Sequence, residues 1–245
     1  MRALAALALA LTACGSSAPG SEPALTGHHA PAATPTGPAP TIALGERGFE
    51  TPGLPAIARA GDLVVLPIIA GDAGRGSPNL RVEVRDRRDK LAEAIEVMAA
   101  DDYEELVPDG IHAGHVLERR IADANRRLAA LHAEHDLTAM RAIPFTPEPF
   151  GPPKPVQGAG LAISFDADHQ LRVRSDAGAL LATVDGTGWL APSGPRCAQC
   201  PPCENPAYLA GAYRAPGIDV LVVRIAYTGT DTCWEPGDQL HVIAW

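Results

Sequence analysis

The stretch IPFTPEPFGPPKPV, residues 143–156, restricts the fold of this chain most, because it holds six prolines in fourteen positions. Proline fixes φ and lacks the backbone N–H donor, so neither a helix nor an inner strand can continue through the run. Such a sequence favours a stiff, extended connector. The run therefore predicts two lobes, an N-terminal lobe over 42–142 and a C-terminal lobe over 158–245, joined by a connector over 143–157.

The chain opens MRALAALALALTAC, in which Arg2 precedes an apolar run over residues 3–13. This run is too short for a membrane-spanning helix, which needs roughly 20 residues, but it suits a signal peptide. Its end, LTAC at 11–14, resembles the lipobox of bacterial lipoproteins. That resemblance implies cleavage after residue 13 and lipidation, including palmitate, at Cys14. An ordinary signal peptide with a chance cysteine is the alternative.

The lipobox resemblance also implies a location. A lipid-bearing chain with no other long apolar run is anchored to a membrane and does not span it. Residue 15 is Gly and not Asp, which in lipoproteins of two-membrane bacteria implies the outer membrane, on its periplasmic or surface face. Residues 14–41 are rich in Pro, Ala, Ser, Thr and Gly, a composition that cannot offset the entropy of ordering. They predict a flexible, lipid-anchored linker.

Alternating apolar residues predict short strands in both lobes. The helix prediction covers 115–136, where Leu117, Ile121, Leu128 and Leu131 form one apolar stripe. Residues 91–98 alternate as a strand, but their Ala and Glu content leaves a helix as the competitor. The predicted fold class is α+β, mostly β, with antiparallel sheets and one long amphipathic helix. The strands are expected at 62–71, 80–86, 91–98, 161–166, 171–175, 180–184, 218–229 and 239–245.

One segment of the N-terminal lobe carries a second resemblance. The residues PAI at 55–57 and GD at 61–62 stand before an apolar run, a turn and an alternating run. This order over about 53–98 resembles one blade of a β-propeller of the TolB or WD-like type. No repeat of about 40 residues follows, so a complete propeller is not expected.

Besides Cys14 the chain has four cysteines, Cys197, Cys200, Cys203 and Cys233. An exported chain meets an oxidising compartment, where an even number of cysteines usually forms disulfides. Four cysteines allow three pairings, and our prediction is Cys203–Cys233 with Cys197–Cys200. A zinc site of four thiolates and a redox-active thiol are the alternatives.

Other candidate site residues are His132 and His135, an i, i+3 pair that can chelate a metal on a helix. The dipole at a helix C-terminus also favours histidine there, and the HExxH spacing is absent. The late aromatic residues could line a ligand surface, although core packing is the preferred interpretation because aromatic rings supply large buried area in small cores. They are Trp189, Tyr208, Tyr213, Trp234 and Trp245.

The sequence contains no catalytic motif: G-x-S-x-G, a phosphate-binding loop and a dinucleotide fingerprint are all missing. A net charge of −9 gives no sign of a basic, nucleic-acid-binding face. We therefore expect an envelope lipoprotein with a non-catalytic binding or structural role. It would need no cofactor, and its partners would be the membrane and an envelope protein. The alternatives are a zinc-binding or thiol-active protein and a ligand-binding relative of propellers, which a concave aromatic pocket would support.

Overall fold

The computed structural model describes residues 36–46, 48–69, 79–99, 102, 115–149, 154–189, 206–228 and 237–245. The described residues belong to one unit, Ala32–Trp245. They form one α-helix, α1 (His115–His135), a 3-10 turn (Thr187–Trp189) and a series of strands. The strands, in chain order, are β1 Ala43–Gly45, β2 Gly48–Glu50, β3 Ala56–Ile57, β4 Leu63–Ile68, β5 Leu80–Asp86, β6 Leu91–Met98, β7 Thr138–Ala139, β8 Arg141–Ala142, β9 Val156–Gly158, β10 Leu161–Phe165, β11 Gln170–Ser175, β12 Leu180–Asp185, β13 Ala207–Arg214, β14 Val220–Tyr227 and β15 Gln239–Ala244.

All strand pairings in the described residues are antiparallel, which confirms the predicted α+β, mostly β class. A helix-backed sheet has the order β6-β5-β4-β3-β7, a central sheet β15-β14-β13-β8 and an outer sheet β12-β11-β10-β9. Strands β1 and β2 form a separate hairpin. Strand β8 precedes the proline run but pairs with β13, so the two predicted lobes share the central sheet.

Three apolar cores separate four layers. The stripe of α1 packs on one face of the helix-backed sheet, with Leu128 against Val82 among others. The other face of that sheet meets the central sheet through Leu66 and Val222. The opposite face of the central sheet meets the outer sheet through Val223 and Ile163. Strand β14 is thus covered on both faces, as its continuous apolar sequence predicts.

Residues 91–98 form strand β6 and not a helix. Ile95 pairs with Val82 of β5, and Val97 and Met98 are buried. Glu93 accepts two hydrogen bonds from Arg127 of α1, at 2.8 and 2.7 Å, which ties the helix to this edge. Cross-strand pairing and burial therefore outweigh the helix propensity of Ala and Glu.

The predicted linker ends earlier than residue 41, because Thr36 to Ile42 are held against α1 and the residue after it. Thr36 N donates to Asp136 Oδ1 at 2.9 Å, and His132 Nε2 donates to Gly37 O at 2.9 Å. Asn125 accepts from Ile42 N at 2.7 Å and donates to Ile42 O at 2.9 Å. Side chains of one helical segment thus satisfy backbone groups that no strand pairs.

Candidate functional site

A groove of about 590 Å³ lies between the proline run, the ends of β9 and β10, and the beginning of β13. Its lining combines aromatic rings and proline rings with polar side chains. The groove is defined here by Phe145, Pro149, Pro155, Phe165, Pro206 and Tyr208. Thr146 and Gln157 add neutral polar groups to the lining, and His169 adds an imidazole ring.

The groove lies where the pairing of β8 with β13 ends. Ala142 and Arg141 pair with Tyr213 and Arg214, and Ile143 N then donates to Ala212 O at 2.8 Å. The next residue whose N–H would point toward β13 is Phe145, and the one after that is Pro147, which has no N–H to donate. The proline run separates from β13 at this point, and the groove occupies the space between them.

The full charges in the groove wall have partners within the wall or next to it. Lys154 Nζ donates to Glu148 Oε1 at 2.8 Å. Asp166 accepts from the backbone N–H of Gln170 at 2.9 Å and from the guanidinium of Arg172. These bonds, the one from Gln170 first, hold the pKa of Asp166 below its usual range. The wall is therefore electrically balanced.

The hydroxyl of Tyr208 is a neutral group in this wall. Burial, and then the nearby carboxylate of Asp238, raise the pKa of Tyr208 above its ordinary value. The ring consequently keeps its O–H at all physiological pH values and can donate one hydrogen bond.

A column of rings leads from the groove into the protein. Phe165 lies 6.1 Å from Trp189 at an interplanar angle of 26°, and Trp189 stacks on His241 at 4.2 Å and 14°. His169 tilts against the other side of Phe165 at 6.1 Å. Gly186 is required beside the column, because a Cβ there would lie 2.8 Å from His169 O and from both Phe165 and Trp189.

The inner end of the column is a partly buried ionic network. His241 Nδ1 donates to Asp89 Oδ2 at 2.7 Å, while Val242 N and Arg85 Nη1 donate to Asp89 Oδ1 at 2.9 and 2.8 Å. Arg85 Nη1 also reaches Leu240 O at 2.8 Å. Burial alone would raise the pKa of Asp89, but these hydrogen bonds outweigh it and hold the pKa below its usual range. The β5–β6 turn thereby covers the free edge of β15.

A carboxylate that orients an imidazole is half of a general-base arrangement. Here the other nitrogen, His241 Nε2, lies 3.2 Å from Gln239 Oε1. Within the part of the chain that the structure describes, no serine, threonine or cysteine contacts that nitrogen. The hydrogen bond between His241 and Asp89 instead attaches the β5–β6 hairpin of the helix-backed sheet to the central sheet.

The structure describes only some of the candidate residues that the sequence indicates. Cys14, Cys197, Cys200, Cys203 and Cys233 lie outside the described residues, so their lipidation, pairing and zinc alternative stay predictions.

The two candidate histidines lie away from the groove on α1. His132 is buried against Gly37, and His135 Nε2 is 3.6 Å from Glu134. Across the described ranges, no group of three or more His, Cys, Asp or Glu side chains is placed to hold a metal ion.

The aromatic residues divide between site and core. Tyr208 lines the groove and Trp189 belongs to the ring column, whereas Trp245 packs in the core and lies 5.6 Å below Arg214. Phe145, Phe165 and Asp89 were not indicated as site residues by the sequence. Turn-forming residues precede β11 and prolines flank Phe145, so the sequence indicates irregular backbone at both positions. It does not indicate that the two positions form one groove.

No described helix is both long and apolar enough to cross a lipid bilayer. No known protein family, curated protein or solved structure matches the chain. The lipobox and the propeller-blade resemblance therefore rest on the residues that carry them and stay predictions.

Proposed function

We propose that this chain is a non-catalytic, lipid-anchored binding protein of the cell envelope whose ligand occupies the groove. The observation that carries this proposal is the groove itself. Its volume of about 590 Å³ falls within the roughly 300–1,000 Å³ of ligand sites, which are mostly apolar with a few placed polar groups. Phe145, Phe165 and Tyr208 provide the apolar surface, and Thr146 and Gln157 provide polar groups.

The predicted location in the cell envelope supports a binding role of this kind. A lipid at Cys14 and a linker before Thr36 would hold the folded part close to the outer membrane without inserting it. The groove could then engage a component of the envelope at high local concentration. The zinc-binding or thiol-active alternative depends on four cysteines outside the described residues and is tested separately below.

The proposal can be tested with a photo-crosslinking side chain in the full-length protein. Replacing Tyr208 with p-benzoylphenylalanine places the reactive group in the groove. The matched position is Leu180, which is 53% exposed on β12 and outside the groove. We expect irradiation of intact cells to give one discrete adduct from position 208 and none from position 180. Equal adducts from both positions, or none from either, would contradict the proposal.

A further inference from the structure

We infer that the groove binds an extended peptide segment of a partner protein, which adds as a strand to the edge of β13 where β8 stops. The inference rests on the proposed function and names the chemical class of its ligand. Its physical basis is the set of backbone groups along one side of β13.

Among the described residues, β13 is paired along nearly its whole length on one side and only at its end on the other. Strand β14 pairs with it from Ala207 to Arg214. On the other side β8 pairs with only Tyr213 and Arg214, and Ile143 N adds one bond to Ala212 O. In the described part of the chain no strand pairs with this side of residues 207–211. An unpaired strand edge is a template for another extended chain.

Within the described residues, the protein's own chain does not fill this position. A ladder continuing from β8 would bring residues 145 and 146 opposite the first half of β13. The N–H position of residue 144 would point away from β13, but residues 147 and 149, which would face it, are prolines and cannot donate. Phe145 and Thr146 instead line the groove across from Tyr208 and Leu209. The gap thus has a strand edge on one side and a polyproline wall on the other.

The opposite edge of the central sheet, along β15, is capped by side chains, and in this respect it differs from the β13 edge. On β15, Leu240 O accepts from Arg85, and Val242 N donates to Asp89. Two side chains from another sheet thereby occupy the edge groups that would otherwise pair with a foreign strand. On β13 one carbonyl, that of Ala210, accepts from Arg224 at 3.2 Å, at the position where the strand bulges.

The wall chemistry indicates which peptide fits. Glu148 is paired with Lys154, and Asp166 with Arg172, so a charged ligand side chain would find no free counter-charge. Phe165 and Val156 offer apolar contacts, and the Tyr208 hydroxyl offers a neutral donor. A peptide without net charge, with apolar side chains on the face toward Phe165, satisfies both conditions. A neutral glycan could stack on the same rings, but it would leave the edge of β13 unpaired.

The test uses the full-length, lipid-anchored protein in detergent and a randomised library of uncharged heptapeptides blocked at both ends. Selected peptides are measured by fluorescence polarisation and then resynthesised with N-methyl groups at alternate residues, in each of the two registers. N-methylation removes the donors that a ladder needs. We expect one register to weaken binding at least tenfold and the other to have little effect, because alternate N–H groups of a strand point to opposite sides.

Protein variants provide the second measurement. Tyr208→Ala should weaken the binding of the selected peptides at least tenfold, Tyr208→Phe should weaken it less, and Leu180→Ala should not change it. Thermal unfolding checks that each variant is folded. Chitotetraose serves as the neutral glycan. Selection of no peptide, peptide binding that ignores N-methylation or Tyr208→Ala, or Tyr208-dependent binding of chitotetraose instead of peptides, would each overturn the inference. A discrete crosslink from position 208 would still support the proposed function in those cases.

Discussion

Asp89 shows how one residue joins two sheets. Its φ is +61°, a left-handed conformation that non-glycine residues rarely adopt and that Asp and Asn tolerate best. Its carboxylate accepts hydrogen bonds from His241, Arg85 and the backbone of Val242. Charge-assisted bonds of this kind are the stronger class in proteins, and they offset the cost of the backbone conformation.

Asp89→Asn should therefore lower the free energy of unfolding by about 1.5–3 kcal/mol at neutral pH. Asn keeps the side-chain shape and the tolerance for positive φ, so the loss reports the charge and not backbone strain. The measurement is urea unfolding. The control is Asp168→Asn, an exposed aspartate in the β10–β11 turn, which should change stability by less than about 0.5 kcal/mol.

The same pair of proteins gives a pH test. Since the pKa of Asp89 is lower in the folded state, its carboxylate contributes stability that is fully present above the unfolded pKa of about 3.9. That contribution is lost as the pH falls through the folded pKa. The difference between wild type and Asp89→Asn should thus be at its full size near pH 5 and shrink below about pH 4. A difference unchanged at pH 3 would show that the charge of Asp89 is not its source.

At the scale of elements, the 3-10 turn after β12 offers a test of the ring column. A Cβ on Gly186 would lie 2.8 Å from His169 O, a backbone atom that cannot rotate away, whereas a Cβ on Gly188 meets nothing within 4 Å. Gly186→Ala should cost about 1–3 kcal/mol through overpacking, and Gly188→Ala should be nearly neutral. Thermal unfolding of the two variants measures the contrast. Equal melting temperatures would mean that Phe165 and Trp189 are not packed as described.

Some elements could be predicted because their signals are local. The stripe of Leu117, Leu128 and Leu131 defines α1, and the apolar run of β14 indicates a strand covered on both faces. Strand β13, with the sequence AYLAGAYR, was not predicted, because Ala and Gly disfavour strands. The bulge after Leu209 also breaks the alternation of its side chains between the two faces of the sheet.

The candidate site could not be predicted because its contacts are far apart in sequence. The sequence shows that a proline run follows residue 142, but not that the strand before this run pairs with Tyr213 of β13. Asp89 and His241 are 152 positions apart, and no local pattern links a turn aspartate to a strand histidine. Phe165 is the last residue of a short strand, which is a common position for an apolar residue. It lines the groove only because the sheets stack on one another.

At the scale of the whole molecule, the strands that flank the cysteines bear on how they pair. Cys203 precedes β13 and Cys233 follows β14. The adjoining ends of these strands lie together, because Ala207 pairs with Tyr227 and Thr228 N donates to Pro206 O at 3.0 Å. The chain therefore enters and leaves this hairpin at one place, which favours the proposed Cys203–Cys233 bond over the other pairings of Cys233. Closing a loop of about 30 residues would stabilise the fold by on the order of 3 kcal/mol.

Intact mass of the exported, lipidated protein tests this pairing and its alternative together. With two disulfides, the mass should be lower by four hydrogens than that of the reduced protein, and a thiol-alkylating reagent should add nothing even after denaturation. In Cys203→Ser, Cys233 should become the one thiol that is alkylated, while Cys197→Ser should free Cys200 instead. A native mass raised by one zinc ion, with four thiols alkylated only after denaturation, would replace the disulfides with a zinc site. The cysteines would then have a metal-binding role, and the groove would no longer be the first place to look for function.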